Sequence, residues 1–219
     1  TSHPIDFGDD LIEEYKNPKL ANNLHLPVQS GSDNILMRMK RKHTSLEYKS
    51  IIRKVRKIRP DIHLTSDFII GYPGETDSEF HETMDFISDV NFTDAYSFIY
   101  SPRPGTPATL EKDSVSMETK KNRLHELQSL IKEQSISYSK RMYGTRQRVL
   151  VEDRSKKQLD GYFGRASNNK IINFKSKENY IGHFVDVEIT SVMQNIVYGE
   201  IINQDLEKEK HNRRAAVAK

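Results

Sequence analysis

Two helix-start signals alternate with strand-like segments in the first half of the chain, and this alternation restricts the fold more than any other feature. The segments TSLE (44–47) and TDSE (76–79) both have the spacing of a capping box. Apolar segments at 24–28, 63–70 and 95–100 flank the two predicted helices. Strand, helix, strand, helix, strand is the order of a parallel sheet with crossover helices. The sequence therefore predicts an α/β domain whose binding residues follow the carboxyl ends of the strands.

The second half of the chain predicts a different architecture. After Gly144 the sequence changes to short alternating segments separated by turn residues, which is typical of a small antiparallel β-barrel. We predict an α/β domain over 1–142, a β-barrel over 143–204 and a charged, disordered tail over 205–219. Three predicted parallel strands are too few to close a TIM-like barrel, so we expect the sheet of the first domain to be open.

Composition excludes several classes of site. The chain of 219 residues contains no cysteine, so these residues cannot form disulfides, thiolate zinc sites or cysteine-held iron–sulfur clusters. The eight histidines lack metal-ligand spacing, and we expect no metal site. No apolar run approaches the ~20 residues that cross a bilayer, so we expect no membrane contact. Ten Lys or Arg against one acid over 38–59 indicate either a polyanion-binding face or a solvated helix surface.

The apolar segment 64–70 contains one charge, Asp67. Strand alternation places Asp67 on the same face as Thr65 and Ile69. A bare carboxylate in an apolar layer is costly, so Asp67 needs donors or a cationic partner. One interpretation is that Asp67 caps a loop or pairs with a lysine; the other is that its position before a strand end makes it part of a binding site.

Two further turns follow predicted strands. Gln29 and Ser30 join a strand to a helix start, where amide groups bind hydroxyls or anions, although a simple helix cap also explains them. Arg103 lies between two prolines, which suits it to hold a carboxylate or phosphate or to be a surface arginine in a rigid turn. In 95–100 small residues alternate with aromatic ones. If the aromatic side chains pack under helices, the small residues on the other face leave room for a ligand, although small residues also fit a crowded barrel interior.

The predicted barrel combines basic, amide and aromatic side chains around one turn. Arginine, lysine and asparagine on such a turn, with Phe174 and Tyr162 nearby for stacking, suit RNA, although a solubilised barrel surface explains the charge equally well. The candidate RNA-binding residues are Arg146, Arg148, Arg165, Asn169, Lys170 and Phe174.

Four segments together resemble a known family. HLPVQSGSD (25–33), MKRKHT (39–44), SDFIIGYPGET (66–76) and YSFIYSPRPGTPA (96–108) are similar, in order, to the second half of the radical SAM domain of the methylthiotransferases. The region 143–204 resembles their TRAM domain, a small OB-like barrel. The segments resemble the branch that acts on N6-dimethylallyladenosine in tRNA more than the ribosomal-protein or threonylcarbamoyladenosine branches.

The resemblance implies a cofactor site. Gln29 and Ser30 would lie near the ribose of S-adenosylmethionine, with Ile69 and Gly71 near its adenine. The remaining implied pocket residues are His3, Asp67 and Arg103. The general pattern of this strand is Gly-x-Ile-x-Gly-x-x-Glu; here Asp67 replaces the first Gly, and Gly74 stands in the place of the Glu.

The resemblance also implies a reaction and partners. The parent enzyme would add a methylthio group to C2 of N6-dimethylallyladenosine next to the tRNA anticodon, using S-adenosylmethionine and two [4Fe–4S] clusters. Because the cluster cysteines are missing, we expect the chain to be the C-terminal half of a longer, cytoplasmic, monomeric enzyme and to be inactive alone. The implied partners are the tRNA anticodon arm and the missing N-terminal half. The alternatives are a non-catalytic RNA-binding module and a ribosomal-protein methylthiotransferase.

Overall fold

The structure, a computed structural model, describes residues 3–155 and 160–202. The chain divides into two compact units, which meet in the sequence between Ser135 and Ile136, whereas we predicted a domain boundary between 142 and 143. The predicted tail 205–219 lies outside the described residues. The helices are α1 (Asp9–Glu13), α2 (Asp33–Arg38), α3 (Ser45–Ile58), α4 (Asp77–Val90) and α5 (Met117–Arg141). The strands are β1 (Asn23–His25), β2 (His63–Ile70), β3 (Asp94–Ile99), β4 (Arg146–Arg154), β5 (Gly161–Ala166), β6 (Ile171–Lys175), β7 (Phe184–Met193) and β8 (Ile196–Ile201).

Both predicted capping boxes form. The Thr44 hydroxyl accepts a hydrogen bond from the Glu47 backbone N–H, and the Glu47 carboxylate accepts one from the Thr44 backbone N–H. Thr76 and Glu79 make the same pair of bonds at the start of α4. These bonds satisfy N–H groups that a helix start otherwise leaves without partners. They fix where each crossover helix begins after its strand.

The first unit contains a parallel sheet in the order β1-β2-β3, as the sequence predicts. The even-numbered side chains of β2 are fully buried in a core that it shares with α3 and α4. The principal core side chains are Leu64, Phe68, Ile70, Ile52, Val55, Phe86 and Ile87. Burial of large apolar side chains on this scale is the main source of stability of such a layer.

The second unit contains a closed barrel in the order β4-β5-β6-β8-β7. The predicted small barrel is thus confirmed, with one difference: β6 and β8 pair in parallel, whereas the other neighbours are antiparallel. Gly164 lets β4 and β5 approach closely, because a Cβ at that position would lie 2.2 Å from the carbonyl oxygen of Leu150. The barrel interior is filled by Val149, Val151, Ile172, Val187 and Val197.

Candidate functional site

A cavity of about 670 Å³ lies where β2 and β3 end in the first unit. This volume is within the range of small-molecule sites. Four predicted pocket residues line it together, although they come from separate segments: Gln29, Asp67, Ile69 and Arg103. The structure therefore brings these four side chains to one cavity.

The alternation of β2 explains how a charge fits into an apolar strand. Thr65, Asp67 and Ile69 are half-buried, and the residues between them are buried against the helices. The Asp67 side chain keeps 27% of its surface exposed, so its carboxylate is not transferred into the core. Asp67 thus belongs to the open face of the sheet, on the same side as the cavity wall.

Asp67 also has a histidine ring and an arginine charge nearby. The His25 Nε2 atom lies 3.6 Å from Asp67 Oδ1, and the Thr65 hydroxyl lies 2.9 Å from His25 Nδ1. Arg41, half-buried in the cavity wall, has its pKa lowered by burial, and the negative charge of Asp67 opposes that shift. The Asp67 carboxylate thus has the His25 ring and the Arg41 charge as neighbours, and Thr65 positions the His25 ring.

Gln29 reaches the cavity through an unusual backbone conformation. Its φ is 80°, in the left-handed region that a glutamine rarely adopts. Its backbone carbonyl accepts a 2.9 Å hydrogen bond from the N–H of Ile69, and its N–H donates one of equal length to the carbonyl of Asp67. These bonds extend the pairing of the first two strands past the end of β1, and they hold the Gln29 side chain at the cavity.

The aromatic side chains of β3 lie on the open face of the sheet and not under the helices. The register pairs Tyr96 with Asp67 and Phe98 with Ile69, so both rings share the open face of the sheet with those residues. Both aromatic residues are exposed, and Phe98 lines the cavity. The condition under which the small residues would line a ligand site, with the aromatic side chains packed under helices, is therefore not met, because alternation gives two faces but does not say which face the helices cover.

Sequence reasoning missed a group that closes one side of the cavity. The Arg38 guanidinium bonds to the Glu111 carboxylate and to the carbonyl of Pro73, and it lies 5.0 Å from the centre of the Tyr72 ring. The Tyr72 hydroxyl donates to the carbonyl of Arg38 over 3.1 Å. Burial and the nearby Glu111 carboxylate raise the pKa of Tyr72. The position of Tyr72 in the turn after β2 was the one sequence feature that could have indicated this group. The positions of Arg38 and Glu111 in the sequence gave no such indication.

Three predicted cofactor residues lie outside the cavity wall. Ser30 is buried, and its hydroxyl lies 3.2 Å from that of Thr83 on α4. His3 caps a short 3-10 turn and packs edge-on against His43, with ring centroids 5.4 Å apart. Gly71 has φ 71° and donates its N–H to the buried Glu75 carboxylate over 2.9 Å. Each of these residues has a local structural role in this chain.

The basic helix is less available than its sequence indicates. Arg56 donates to the carbonyls of Val90 and Asn91 at the end of α4, and Arg59 donates to the carbonyls of Tyr15, Asn17 and Leu20. Ion pairs join Lys49 to Asp89 and Lys54 to Asp9. These four of the ten cations over 38–59 therefore bond to neighbouring elements of the unit, and the interpretation of the segment as a polyanion-binding face stays a prediction.

The candidate RNA-binding residues separate into exposed and buried ones. Arg146 and Arg165 are exposed and form ion pairs with Asp186 at 3.0 Å and Glu152 at 2.9 Å. Arg165 also donates to Asn169, and Lys170 lies 5.9 Å from the centre of the Tyr138 ring.

Phe174 requires a correction. Only 3% of Phe174 is exposed, and its ring stacks on Tyr162 inside the barrel with centroids 6.1 Å apart. Its stacking partner is therefore part of the protein core, and Phe174 cannot stack on an RNA base.

The described residues contain neither a metal-binding cluster nor a membrane-spanning helix. Over 3–155 and 160–202, no group of three or more His, Asp or Glu side chains has an arrangement that could hold a metal ion. No helix in these ranges is both long and apolar enough to span a membrane.

Comparisons with known proteins agree with this architecture. Residues 1–87 match the radical SAM superfamily, and residues 140–202 match the TRAM domain. Proteins named tRNA-2-methylthio-N(6)-dimethylallyladenosine synthase from Actinobacillus succinogenes and Vibrio vulnificus are each 56% identical over 206 residues. The alignments cover 94% of this chain and 44% of each relative, so the chain spans less than half the length of the relatives it matches.

A solved structure supports the fold alone. Coproporphyrinogen III oxidase from Escherichia coli, described as a radical SAM enzyme, superposes with a TM-score of 0.51 at 15% identity, covering 75% of this chain and 45% of that one. The domain matches and the identity to the named relatives together show that the chain belongs to the radical SAM methylthiotransferase family, as a radical SAM segment followed by a TRAM domain.

Proposed function

We propose that the chain is part of a tRNA methylthiotransferase and that the cavity of its first unit binds S-adenosylmethionine. The parent reaction is addition of a methylthio group to C2 of N6-dimethylallyladenosine next to the anticodon. The observation that supports this proposal most is that Gln29, Asp67, Ile69 and Arg103 line one cavity. The name of the relatives, tRNA-2-methylthio-N(6)-dimethylallyladenosine synthase, supports the substrate.

The side chains of the cavity fit the chemistry of this cofactor. Asp67 offers a negative charge to a sulfonium or ammonium group, and Arg103 offers a guanidinium to a carboxylate. The Gln29 amide can bond a ribose hydroxyl, and the Ile69 and Phe98 side chains provide apolar contact for a purine ring. Because the sequence has no cysteine, it offers no thiolate ligand to a [4Fe–4S] cluster. We propose that the two clusters of the parent enzyme are held by other residues and that this chain alone is inactive.

When bound, S-adenosylmethionine supplies both the radical chemistry at C2 and the transferred methyl group. The residues of this chain orient the ligand and limit its exposure to water. Asp67, kept in place by His25, fixes the cationic end, and the backbone bonds of Gln29 fix the amide beside it. Tyr72, tied to Arg38 and Glu111, closes one side of the cavity. Such preorganisation places the reacting groups without further ordering.

The second unit would bind the tRNA anticodon arm. Exposed Arg146, Arg148 and Arg165 on the barrel strands can contact phosphates, which position an RNA without reading its sequence. The target base would have to leave the helical stack to reach an enclosed site.

Complementation of a bacterial strain that lacks its tRNA methylthiotransferase tests the function. The gene that carries this chain is expressed there, and tRNA nucleosides are analysed by mass spectrometry. We expect 2-methylthio-N6-dimethylallyladenosine with the unaltered gene and less than about a tenth of it with Asp67→Asn, because loss of one charged contact costs about 1.5 to 3 kcal/mol. An expressed, folded product that leaves the nucleoside unmodified would contradict the proposal.

The same samples test the two alternatives. Methylthiolation of a ribosomal protein instead of tRNA would identify the other branch of the family. RNA binding without either modification would favour a non-catalytic RNA-binding module.

A further inference from the structure

The barrel carries an exposed aromatic residue that sequence reasoning did not assign to RNA. Phe184, at the start of β7, is 58% exposed, in contrast to the buried pair formed by Tyr162 and Phe174. The guanidinium carbon of Arg148 lies 4.7 Å from the centre of the Phe184 ring. A depression of about 370 Å³ adjoins these two side chains, with Val185 and Asp186 completing its lining.

Phe184 lies at the end of a continuous row of outward-facing side chains. The register places Phe184 beside Leu150, Leu150 beside Arg165 and Arg165 beside Ile171, across β7, β4, β5 and β6. All four side chains are exposed or partly exposed on the outside of the barrel. We call this row the outer stripe.

The charges around the outer stripe favour a ligand that is both planar and anionic. Glu152 and Asp186 are neutralised by Arg165 and Arg146 at 2.9 and 3.0 Å. Over the described ranges of the chain, the Arg148 guanidinium forms no ion pair. It lies over the Phe184 ring, and the carboxylate of its cross-strand neighbour Asp186 is paired with Arg146. An apolar protein surface placed here would bury the Arg148 cation without a partner, which is costly. A nucleotide supplies a base for the ring and a phosphate for the guanidinium.

We propose that Phe184 and Arg148 form a stacking platform for an unpaired RNA nucleotide, with the outer stripe extending the contact surface. This inference rests on the proposed RNA binding of the second unit and names the side chains that perform it. The exposed face of the Phe184 ring stacks on a base, and Arg148 contacts the adjoining phosphate. The platform takes the stacking role that the sequence assigned to Phe174.

Fluorescence anisotropy with the complete 219-residue chain tests this proposal. The probes are a labelled RNA hairpin with an unpaired loop and a blunt RNA duplex of the same length. We expect Phe184→Ala to weaken hairpin binding about five- to a hundredfold, the range for loss of one base stack, and to leave duplex binding unchanged. Arg148→Ala should weaken the binding of both the hairpin and the duplex. It should also reduce the salt dependence of RNA binding by about one phosphate contact.

Tyr143→Ala is a matched control because Tyr143 is also an exposed aromatic residue of the second unit, at 67% exposure. We expect it to bind both probes like the unaltered chain, and circular dichroism should show all variants folded. Unchanged hairpin binding by Phe184→Ala overturns the platform but not RNA binding. If Phe184→Ala weakens binding of the hairpin and of the duplex equally, the platform is also overturned. The same holds if Tyr143→Ala weakens hairpin binding as much as Phe184→Ala does. No binding of either probe by the unaltered chain overturns the RNA-binding function itself.

Discussion

The backbone N–H of Gln29 donates a 2.9 Å hydrogen bond to the carbonyl of Asp67, although Gln29 lies four residues past the last residue of β1. Gln29 makes this bond with its backbone in the left-handed region, at φ 80°. Strained conformations of this kind cost about 1 to 3 kcal/mol and persist where the surrounding structure enforces them. In this chain the enforced conformation places an amide and a carboxylate side by side at the cavity.

Gly31 is required for the packing of the loop that contains Gln29. A Cβ at Gly31 would lie 2.5 Å from Phe86 Cβ and 2.7 Å from Thr83 Cα, so both neighbours would have to move. We expect Gly31→Ala to lower the free energy of unfolding by about 1 to 3 kcal/mol, the usual cost of overpacking. Urea denaturation measures this change. An unaltered unfolding midpoint would show that α4 does not confine the loop.

The buried ion pair between Glu75 and Arg123 supports the turn after β2. The Glu75 side chain is fully buried and lies 2.9 Å from the Arg123 guanidinium, and its pKa is raised by burial. Arg123→Met leaves that carboxylate unpaired, and we expect a loss of about 3 to 5 kcal/mol in urea denaturation.

Two further variants test this account of the pair. Adding Glu75→Gln to Arg123→Met should recover part of the lost stability, because the unpaired charge is then removed. Lys16→Met, which breaks the exposed pair with Glu13, should change stability by less than about 1 kcal/mol. If Arg123→Met also changed stability by less than about 1 kcal/mol, the structural role of the buried pair would be contradicted.

His43 makes stability depend on pH near neutrality. Neither of its buried ring nitrogens has a hydrogen-bond partner within the described part of the chain, and burial, with the charges of His3 and Arg41, lowers its pKa. The unfolded chain therefore binds the proton more readily, so stability is complete above about pH 6.5 and falls as the pH decreases through that value.

Denaturation of His43→Leu at several pH values tests this dependence. We expect His43→Leu to lose less stability below neutral pH than the unaltered chain does. The pH dependence that remains comes from His3, whose pKa is also lowered. The exposed His125→Asn should keep the slope of the unaltered chain. A slope that is the same in His43→Leu and the unaltered chain would rule out His43 as its source.

Arg56 stabilises the first unit through the end of α4. Its two hydrogen bonds, at 2.6 and 2.9 Å, reach carbonyls that the helix leaves without partners. We expect Arg56→Ala to cost about 1 to 3 kcal/mol of unfolding free energy without changing RNA affinity. Arg53→Ala is the control, since Arg53 bonds to a carbonyl of its own helix. A loss of RNA affinity with Arg56→Ala would favour the polyanion-binding interpretation of this helix.

The order and faces of the first unit could be predicted because they depend on local signals. The capping boxes of Thr44 and Thr76 fixed the helix starts, and period-two alternation separated Asp67 from the buried residues of β2. Register between strands is a long-range property, so alternation alone could not show that Tyr96 and Phe98 lie on the open face of the sheet.

Polar partners across the fold were the hardest feature to predict. Arg38 and Glu111 are 73 residues apart in sequence, and no local pattern relates them. The burial of Phe174 depends on the closure of the barrel, whereas an aromatic residue in an alternating strand gives no indication of which face points inward. Phe184 and Arg148 become neighbours only through the pairing of β4 with β7.

The most direct test of the account is whether S-adenosylmethionine binds beside Ile69. Methyl-selective NMR of the isoleucine-labelled chain, with the Ile69 signal assigned by Ile69→Val, follows this contact during titration. We expect the Ile69 methyl signal to move during the titration, while that of Ile172, in the barrel core, does not. In the Asp67→Asn variant the same shift of the Ile69 signal should need at least about ten times more ligand. An Ile69 signal that stays unchanged at millimolar S-adenosylmethionine would contradict the proposed cofactor site.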